Sequence, residues 1–439
     1  MLARLGTRVP LVTCLAAVAA ATAGIATRPR GAPRMHDVVL HAKLQPYATA
    51  AAPADSAVQI APEFGPTVTG DLARWRTITV HTTRADADVL ADFARDSVFE
   101  DAFLEPAFSL PSLGASAVPA DKSCPISTPS FESYQGYLGP APAGIDAPFA
   151  WQRGVRGAGE QFADVEGGWN AAHEDLVGER MEHVAGRPIR GWREHGTAVL
   201  GEVVGKDNGR GVVGIAPDVD RVFTASIEGP GVAGAIEAAA EKLRAGDVLL
   251  IELQSTGPAG AYIAVEYWGD VYDVIRAATA RGVVVIEAAG NGYEDLDRKI
   301  YRGRFDRAKR DSGAIVVGAG GPPRPGFIDR ARLDFSNYGG RVDVQGWGRK
   351  VATLDYGDLQ ACDAAADRHY TGEFSGTSSA SPIVAGAALL VEANARARGK
   401  ILAPREVRDL LVRSGTPQVG DLKEHIGPRP DLARALSQP

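Results

Sequence analysis

Positive charge is in short supply in this chain. Lys and Arg total 47 against 54 Asp and Glu, a formal net charge of −7. No basic field is therefore available to gather phosphates, which argues against nucleic acid as the main ligand. The apolar run near the N-terminus, Leu11–Ala21, is short and alanine-rich, whereas a membrane span needs about 20 predominantly apolar residues. No internal repeat is evident. Gly157-Ala158-Gly159 lacks the rest of a nucleotide-binding loop. The charged run Glu294–Asp311 lacks the carboxylate spacing of an ion-binding loop and reads as solvated surface. Cysteine is scarce too, at positions 14, 124 and 362.

What is present is an ordinary globular composition, 45% hydrophobic and 23% charged, with room for two or three folding units. The 51 glycines and 28 prolines fit many loops joining short elements. Arg4 and Arg8 precede the apolar run, and Ala21-Thr22-Ala23 offers a small-residue cleavage site. This is the pattern of an export signal, assigned to residues 1–26, with an uncleaved anchor as the alternative. A lipoprotein signal is discounted because the run before Cys14 is too brief. Cys14 leaves with the signal, so Cys124 and Cys362 are left either to pair in an oxidising compartment or to remain free. Removal of a propeptide that carries Cys124 is a further alternative.

Organisation changes along the chain. Residues 28–60 are rich in Ala, Pro and Arg, with one candidate strand at Val38–Leu44. Trp75–His81 alternates as a strand, Asp86–Phe103 has helical spacing, and Leu104–Leu110 reads as a second strand. So small a unit buries little core and is expected to dock on a larger partner. Ser112–Ser130 is dense in Ser, Ala and Pro and reads as a linker. Beyond Tyr137, the apolar runs Val248–Leu253, Val283–Ile286 and Ala314–Val317 look like strands buried on both faces of a parallel sheet. Helical stretches at Val232–Leu243 and Val271–Arg281 separate them, and Pro404–Leu411 adds one more. The expected fold is α/β, a mostly parallel sheet with helices on both faces, preceded by a small α+β unit. Its boundaries are set at 27–115 for the small unit, 116–135 for the linker and 136–439 for the large domain.

The most telling segment is Gly376-Thr377-Ser378-Ser379-Ala380-Ser381-Pro382, which opens a long apolar helix. The first N–H groups of a helix lack internal partners and carry partial positive charge, so they suit an oxyanion. A serine there becomes a nucleophile when a histidine is within reach. His195 opens His195-Gly-Thr-Ala-Val-Leu-Gly, which reads as a helix starting at the histidine. Asp164 ends the plausible strand Gln161–Asp164, and Ala288-Ala-Gly-Asn291 follows another strand. Strand ends of such sheets are where catalytic groups gather. These segments, in the order Asp164, His195, Ser378, resemble the subtilisin-like serine peptidases, as does Phe335-Ser-Asn337-Tyr338-Gly. The resemblance covers about Ile145–Leu436. It implies Ser378 as nucleophile, His195 as general base and then acid, Asp164 as the group orienting the imidazole, and Asn291 in the oxyanion hole with the Ser378 N–H.

The sequence also departs from the family pattern. After the aspartate the family has Ser or Thr and then Gly, with a His-Pro-Asp-Leu turn soon after. Here Asp164-Val-Glu166-Gly-Gly-Trp leads more distantly to His173-Glu-Asp175-Leu176. Asp175 is the alternative carboxylate, and His173 reads as structural. Where the family has a Ser-Leu-Gly edge strand that pairs with substrate, this chain has Glu252-Leu253-Gln254. Gln254 is expected to narrow the pocket. Glu252 and Glu287 either favour a small or basic residue before the cut or point away into internal hydrogen bonds. The resemblance implies an exported endopeptidase, secreted or extracytoplasmic, that makes an acyl-enzyme on Ser378 and processes its own precursor. Its partners would be an extended polypeptide substrate and its own prodomain, with no membrane contact after signal removal. A catalytically impaired peptide-binding relative and a transpeptidase or cyclase are the alternatives. No cofactor is expected; calcium is frequent in the family, but no ligands for it are identified.

Overall fold

The computed structural model describes residues 34–48, 57–111, 124–176, 180–362 and 366–438. The expected signal at 1–26 and the first part of the expected linker lie outside them. The chain forms two compact units divided between Pro106 and Ala107.

The smaller unit contains β1 (His36–Leu44), β2 (Val58–Pro62), β3 (Trp75–Thr82), α1 (Asp86–Arg95) and β4 (Phe99–Leu104). Its sheet is antiparallel in the order β2-β3-β1-β4. Val38, Leu40, Val58, Ile78 and Val80 of the sheet pack against Val89 and Phe93 of α1. The helix expected over Asp86–Phe103 is shorter. The Asp96 carboxylate accepts the Val98 N–H at 3.0 Å, and Phe99–Leu104 pairs with β1. A local turn and sheet pairing override helical spacing there.

The larger unit begins with β5 (Phe108–Ser109), which pairs with a strand of that unit and so does not continue β4. The unit therefore starts ahead of the boundary set at 115. Next come α2 (Ala147–Gln152), β6 (Gln161–Glu166), β7 (Met181–Ala185), α3 (Arg193–Val204), β8 (Arg221–Ser226) and α4 (Gly231–Glu241). They are followed by β9 (Val248–Ile251), β10 (Gln254–Thr256), β11 (Tyr262–Ile263), α5 (Gly269–Ala280), β12 (Val284–Ala288), β13 (Ile315–Gly320) and β14 (Val344–Trp347). The chain closes with β15 (Val351–Leu354), β16 (Gln360–Ala361), β17 (His369–Phe374), α6 (Thr377–Ala397), α7 (Pro404–Ser414) and α8 (Leu432–Leu436).

Seven strands make one sheet, β14-β13-β12-β9-β6-β8-β7, with every pairing parallel. The apolar runs Val248–Ile251 and Val284–Ile286 are buried throughout, as a sheet covered on both faces requires. The chain passes from β6 to the edge strand β7, returns through β8, then crosses to β9 and runs outward to β14. The connections therefore diverge between β6 and β9, the topological switch point where the crevice of an open α/β sheet forms. Helix α6 is buried around its whole circumference from Thr377 to Val391, which marks it as a central helix. Cys124 and Cys362 are joined by a disulfide across 238 positions, Cα atoms 5.2 Å apart. Residues 124–135, expected as linker, are packed into this unit: Thr128 and Gln135 are buried, and Gln135 bonds the Val213 carbonyl. Among the described residues, no helix is long and apolar enough to cross a membrane.

Candidate active site

Ser378 is the second residue of α6. Gly376 precedes the helix at φ 124°, in a region costly for any residue with a Cβ, and so permits the sharp entry from β17. Asn291 follows β12. Its Oδ1 accepts the Thr377 N–H and the Thr377 hydroxyl, both at 3.0 Å, which fixes the amide and leaves Nδ2 to donate elsewhere. The loop that carries Asn291 is itself held by Asn337. That side chain accepts N–H groups from Gly292 (3.0 Å) and Glu294 (2.9 Å) and donates to the carbonyls of Ala289 (2.7 Å) and Tyr262 (2.8 Å).

One backbone carbonyl occupies the point where these donors meet. The Pro111 oxygen accepts from Asn291 Nδ2, from the Ser378 N–H at 3.3 Å and from the Ser378 hydroxyl at 2.9 Å. Two donors on a carbonyl oxygen, with a serine Oγ against the same group, form the arrangement that receives an oxyanion during acyl transfer.

His195 is the third residue of α3, which begins two positions earlier than the start expected at the histidine. Its Nδ1 lies 2.7 Å from Glu166 Oε2. Asp164 therefore does not orient the imidazole: its Oδ2 instead accepts the Trp169 indole N–H at 2.6 Å, and its other oxygen has no hydrogen-bond partner among the described residues. The cause is local. Strand β6 runs two residues further than expected, to Glu166, and positions two apart share a face of a strand. The acidic residue just before the Gly167-Gly168 turn thus stands at the strand end, with Asp164 behind it. Gly196 fits the same contact, since a Cβ there would come within 2.6 Å of Glu166 Oε1. The readable signal was a carboxylate immediately followed by the turn glycines; the expectation of an aspartate hid it.

Both members of this pair are buried. Burial lowers the His195 pKa to about 3, opposed by the charge of Asp164, so the ring is neutral. Burial raises Glu166 well above the usual carboxylate range, opposed by the N–H groups of Gly167 and Gly168. With Nδ1 engaged by Glu166, Nε2 is the nitrogen left to take a proton, and it has no partner among the described residues. The Phe374 ring packs edge-on against the imidazole, centroids 5.4 Å apart, four residues before Ser378. The Ser378 hydroxyl itself is turned to Pro111 and makes no hydrogen bond to His195.

Asp175 is not brought to His195: it accepts from Asn208 and the Val212 N–H. His173 is structural, bonded to the His369 carbonyl at 2.9 Å and lowered to about 4 by burial. Of the edge positions, Glu252 turns its carboxyl to the Ser381 hydroxyl at 2.7 Å, and Leu253 is buried. Glu287 is buried and accepts the Glu266 N–H at 3.3 Å, beside the Glu266–Arg341 ion pair. The internal alternative holds for both glutamates. Gln254 alone of the three bonds the 107–111 segment through its side chain.

A serine, a histidine bonded to a carboxyl group and two converging N–H donors thus lie together in a unit built on a parallel α/β sheet. The sequence pattern of the subtilase family, a family of serine-type peptidases, matches residues 165–427, and the chain belongs to that family. The alkaline elastase YaB of Bacillus sp. (strain YaB) is 30% identical over 252 residues, 56% of this chain and 58% of that protein. This chain thus spans under two thirds of that relative's length. Subtilisin Savinase of Lederbergia lenta is 29% identical over 255 residues, covering 56% of this chain and 81% of its own. The intracellular serine protease of Paenibacillus polymyxa is 28% identical over 290 residues, 62% and 78% respectively. A solved structure described as proteases from Pseudoalteromonas arctica PAMC 21717 superposes with a TM-score of 0.52 over 71% of this chain and 99% of that one, at 20% identity. That likeness speaks for the fold alone.

Proposed function

We propose that this chain is an exported serine endopeptidase, made as a precursor that processes itself. Ser378 is the nucleophile, His195 the general base and then acid, and Glu166 the carboxylate that holds the imidazole, in the role first expected of Asp164. Asn291 and the Ser378 N–H stabilise the oxyanion. The observation that carries this reading is the Pro111 carbonyl, held by both donors and touched by the Ser378 hydroxyl. The smaller unit is the prodomain. The disulfide between Cys124 and Cys362 supports export, since such bonds persist in oxidising compartments.

The chemistry follows from the geometry. A neutral imidazole takes the Ser378 proton at Nε2 while Glu166 holds Nδ1–H, which fixes the tautomer and stabilises the imidazolium formed transiently. A fluorophosphonate probe should label Ser378 of the processed protein, and Ser378→Ala should lose both labelling and hydrolysis of a denatured protein substrate. An unlabelled wild-type protein would leave peptide binding as the activity of this cleft.

A further inference from the structure

We propose that the enzyme cuts its own chain at the bond after Pro111, and that its cleft selects peptides with proline on the acyl side of the scissile bond. This rests on the endopeptidase reading above and adds the bond and the substrate class.

The segment from Ala107 to Pro111 lies as a substrate would. Strand β5 pairs antiparallel with β10, Ser109 opposite Gln254 and Phe108 opposite Ser255, and the Thr256 N–H donates to the Ala107 carbonyl at 3.1 Å. Continuing that register places Pro111 opposite Glu252. An ordinary residue there would donate its N–H to the edge strand, but proline has no N–H to give. The Gln254 side chain compensates from the neighbouring position. Its Nε2 donates to the Leu110 carbonyl at 2.9 Å and to the Ser109 hydroxyl at 3.3 Å. Its Oε1 accepts the Asn291 N–H at 2.8 Å. One side chain thus ties the peptide to the oxyanion loop without calling on the missing proton. Proline also biases the residue before it to extended backbone, the conformation that strand pairing needs, so less ordering is lost on binding. Pro111 is buried.

In the reaction, Ser378 Oγ bonds to the Pro111 carbonyl carbon and its proton passes to His195 Nε2. The carbon–nitrogen bond to residue 112 breaks, and the departing nitrogen takes that proton to become a new amino terminus. Water then adds to the ester and gives a proton to His195. The ester oxygen leaves as the Ser378 hydroxyl, and Pro111 ends as a carboxylate.

The test is the full-length precursor followed in time by intact mass and by sequencing of both pieces. The first larger fragment should begin at Ser112 and the smaller should end at Pro111, with Ser378→Ala uncut. Fluorogenic peptides ending Phe-Ser-Leu-Pro before the cleavable amide should exceed the Phe-Ser-Leu-Phe series in kcat/KM by on the order of tenfold. Gln254→Gly should reverse that preference, and the ratio is read on the fraction of protein that a fluorophosphonate labels. A labelled protein that first cuts elsewhere, stays uncut or prefers phenylalanine overturns this inference and leaves the peptidase reading standing. A protein that takes no label overturns that reading itself.

Discussion

Glutamate carries its carboxyl one methylene further from the backbone than aspartate does. At position 166 that length reaches from the end of β6 to His195 Nδ1, while the shorter side chain of Asp164 is spent on the Trp169 indole. The two residues are separable by substitution. Glu166→Gln should cut kcat by about 10⁴-fold, the scale seen when the carboxylate of comparable serine–histidine sites is neutralised. Asp164→Asn keeps an acceptor for Trp169 and should stay within about tenfold of the parent. Steady-state kinetics on one peptide decides between them, and the reverse ranking would return the role to Asp164. Ser378 and Asn291 stand in motifs that also mark an element boundary, which makes their places legible in the sequence, whereas His195 lies two residues inside its helix. Glu166 was not legible, because the strand was ended two residues early.

At the scale of elements, apolar runs were the reliable guide. Val248–Leu253 and Val283–Ile286 appear as β9 and β12 with shifted ends, and Pro404–Leu411 as α7. Burial on both faces leaves so plain a pattern that little else competes. The smaller unit was harder to read, since Asp86–Phe103 keeps helical spacing past the turn at Asp96, and β2 follows a stretch with no clear period. Strand β5 is only two residues long and exists through pairing with β10, so no local period marks it. The loop after β12 is likewise fixed from a distance. Asn337→Ala would strand the N–H groups of Gly292 and Glu294, at about 1–3 kcal/mol for each that stays dry. The expected result is a lower Tm together with a fall in kcat larger than the change in KM, because the loop carries the Asn291 donor. A change in KM alone would show that Asn337 serves binding and not the oxyanion site.

For the molecule as a whole, buried acids set the response to pH. Burial raises Glu392 to about 8, Asp175 to about 6 and Asp355 to about 6, and holds Glu202 and Glu252 well above the carboxylate range. Between the ordinary carboxylate pKa and these raised values the folded chain binds more protons than the unfolded one, so stability falls as pH rises. The opposite sign holds for Glu266 and Asp311. Burial would raise both, but Arg341 and Arg408 respectively keep them below their ordinary values, and their contribution is lost in strong acid. Thermal unfolding of the Ser378→Ala chain should therefore give a Tm several degrees higher at about pH 6 than at about pH 9. A Tm that climbs steadily into alkali would mean that these carboxyls ionise in the fold at no cost.

The disulfide joins positions 124 and 362, whereas the proposed cut falls after 111. A staple spanning 238 positions contributes about 5 kcal/mol if it acts by restricting the unfolded chain. Shortening the polypeptide then severs nothing that the staple holds. Under the proposed cut, trimming and reinforcement are independent operations, and the shortened chain keeps its brace.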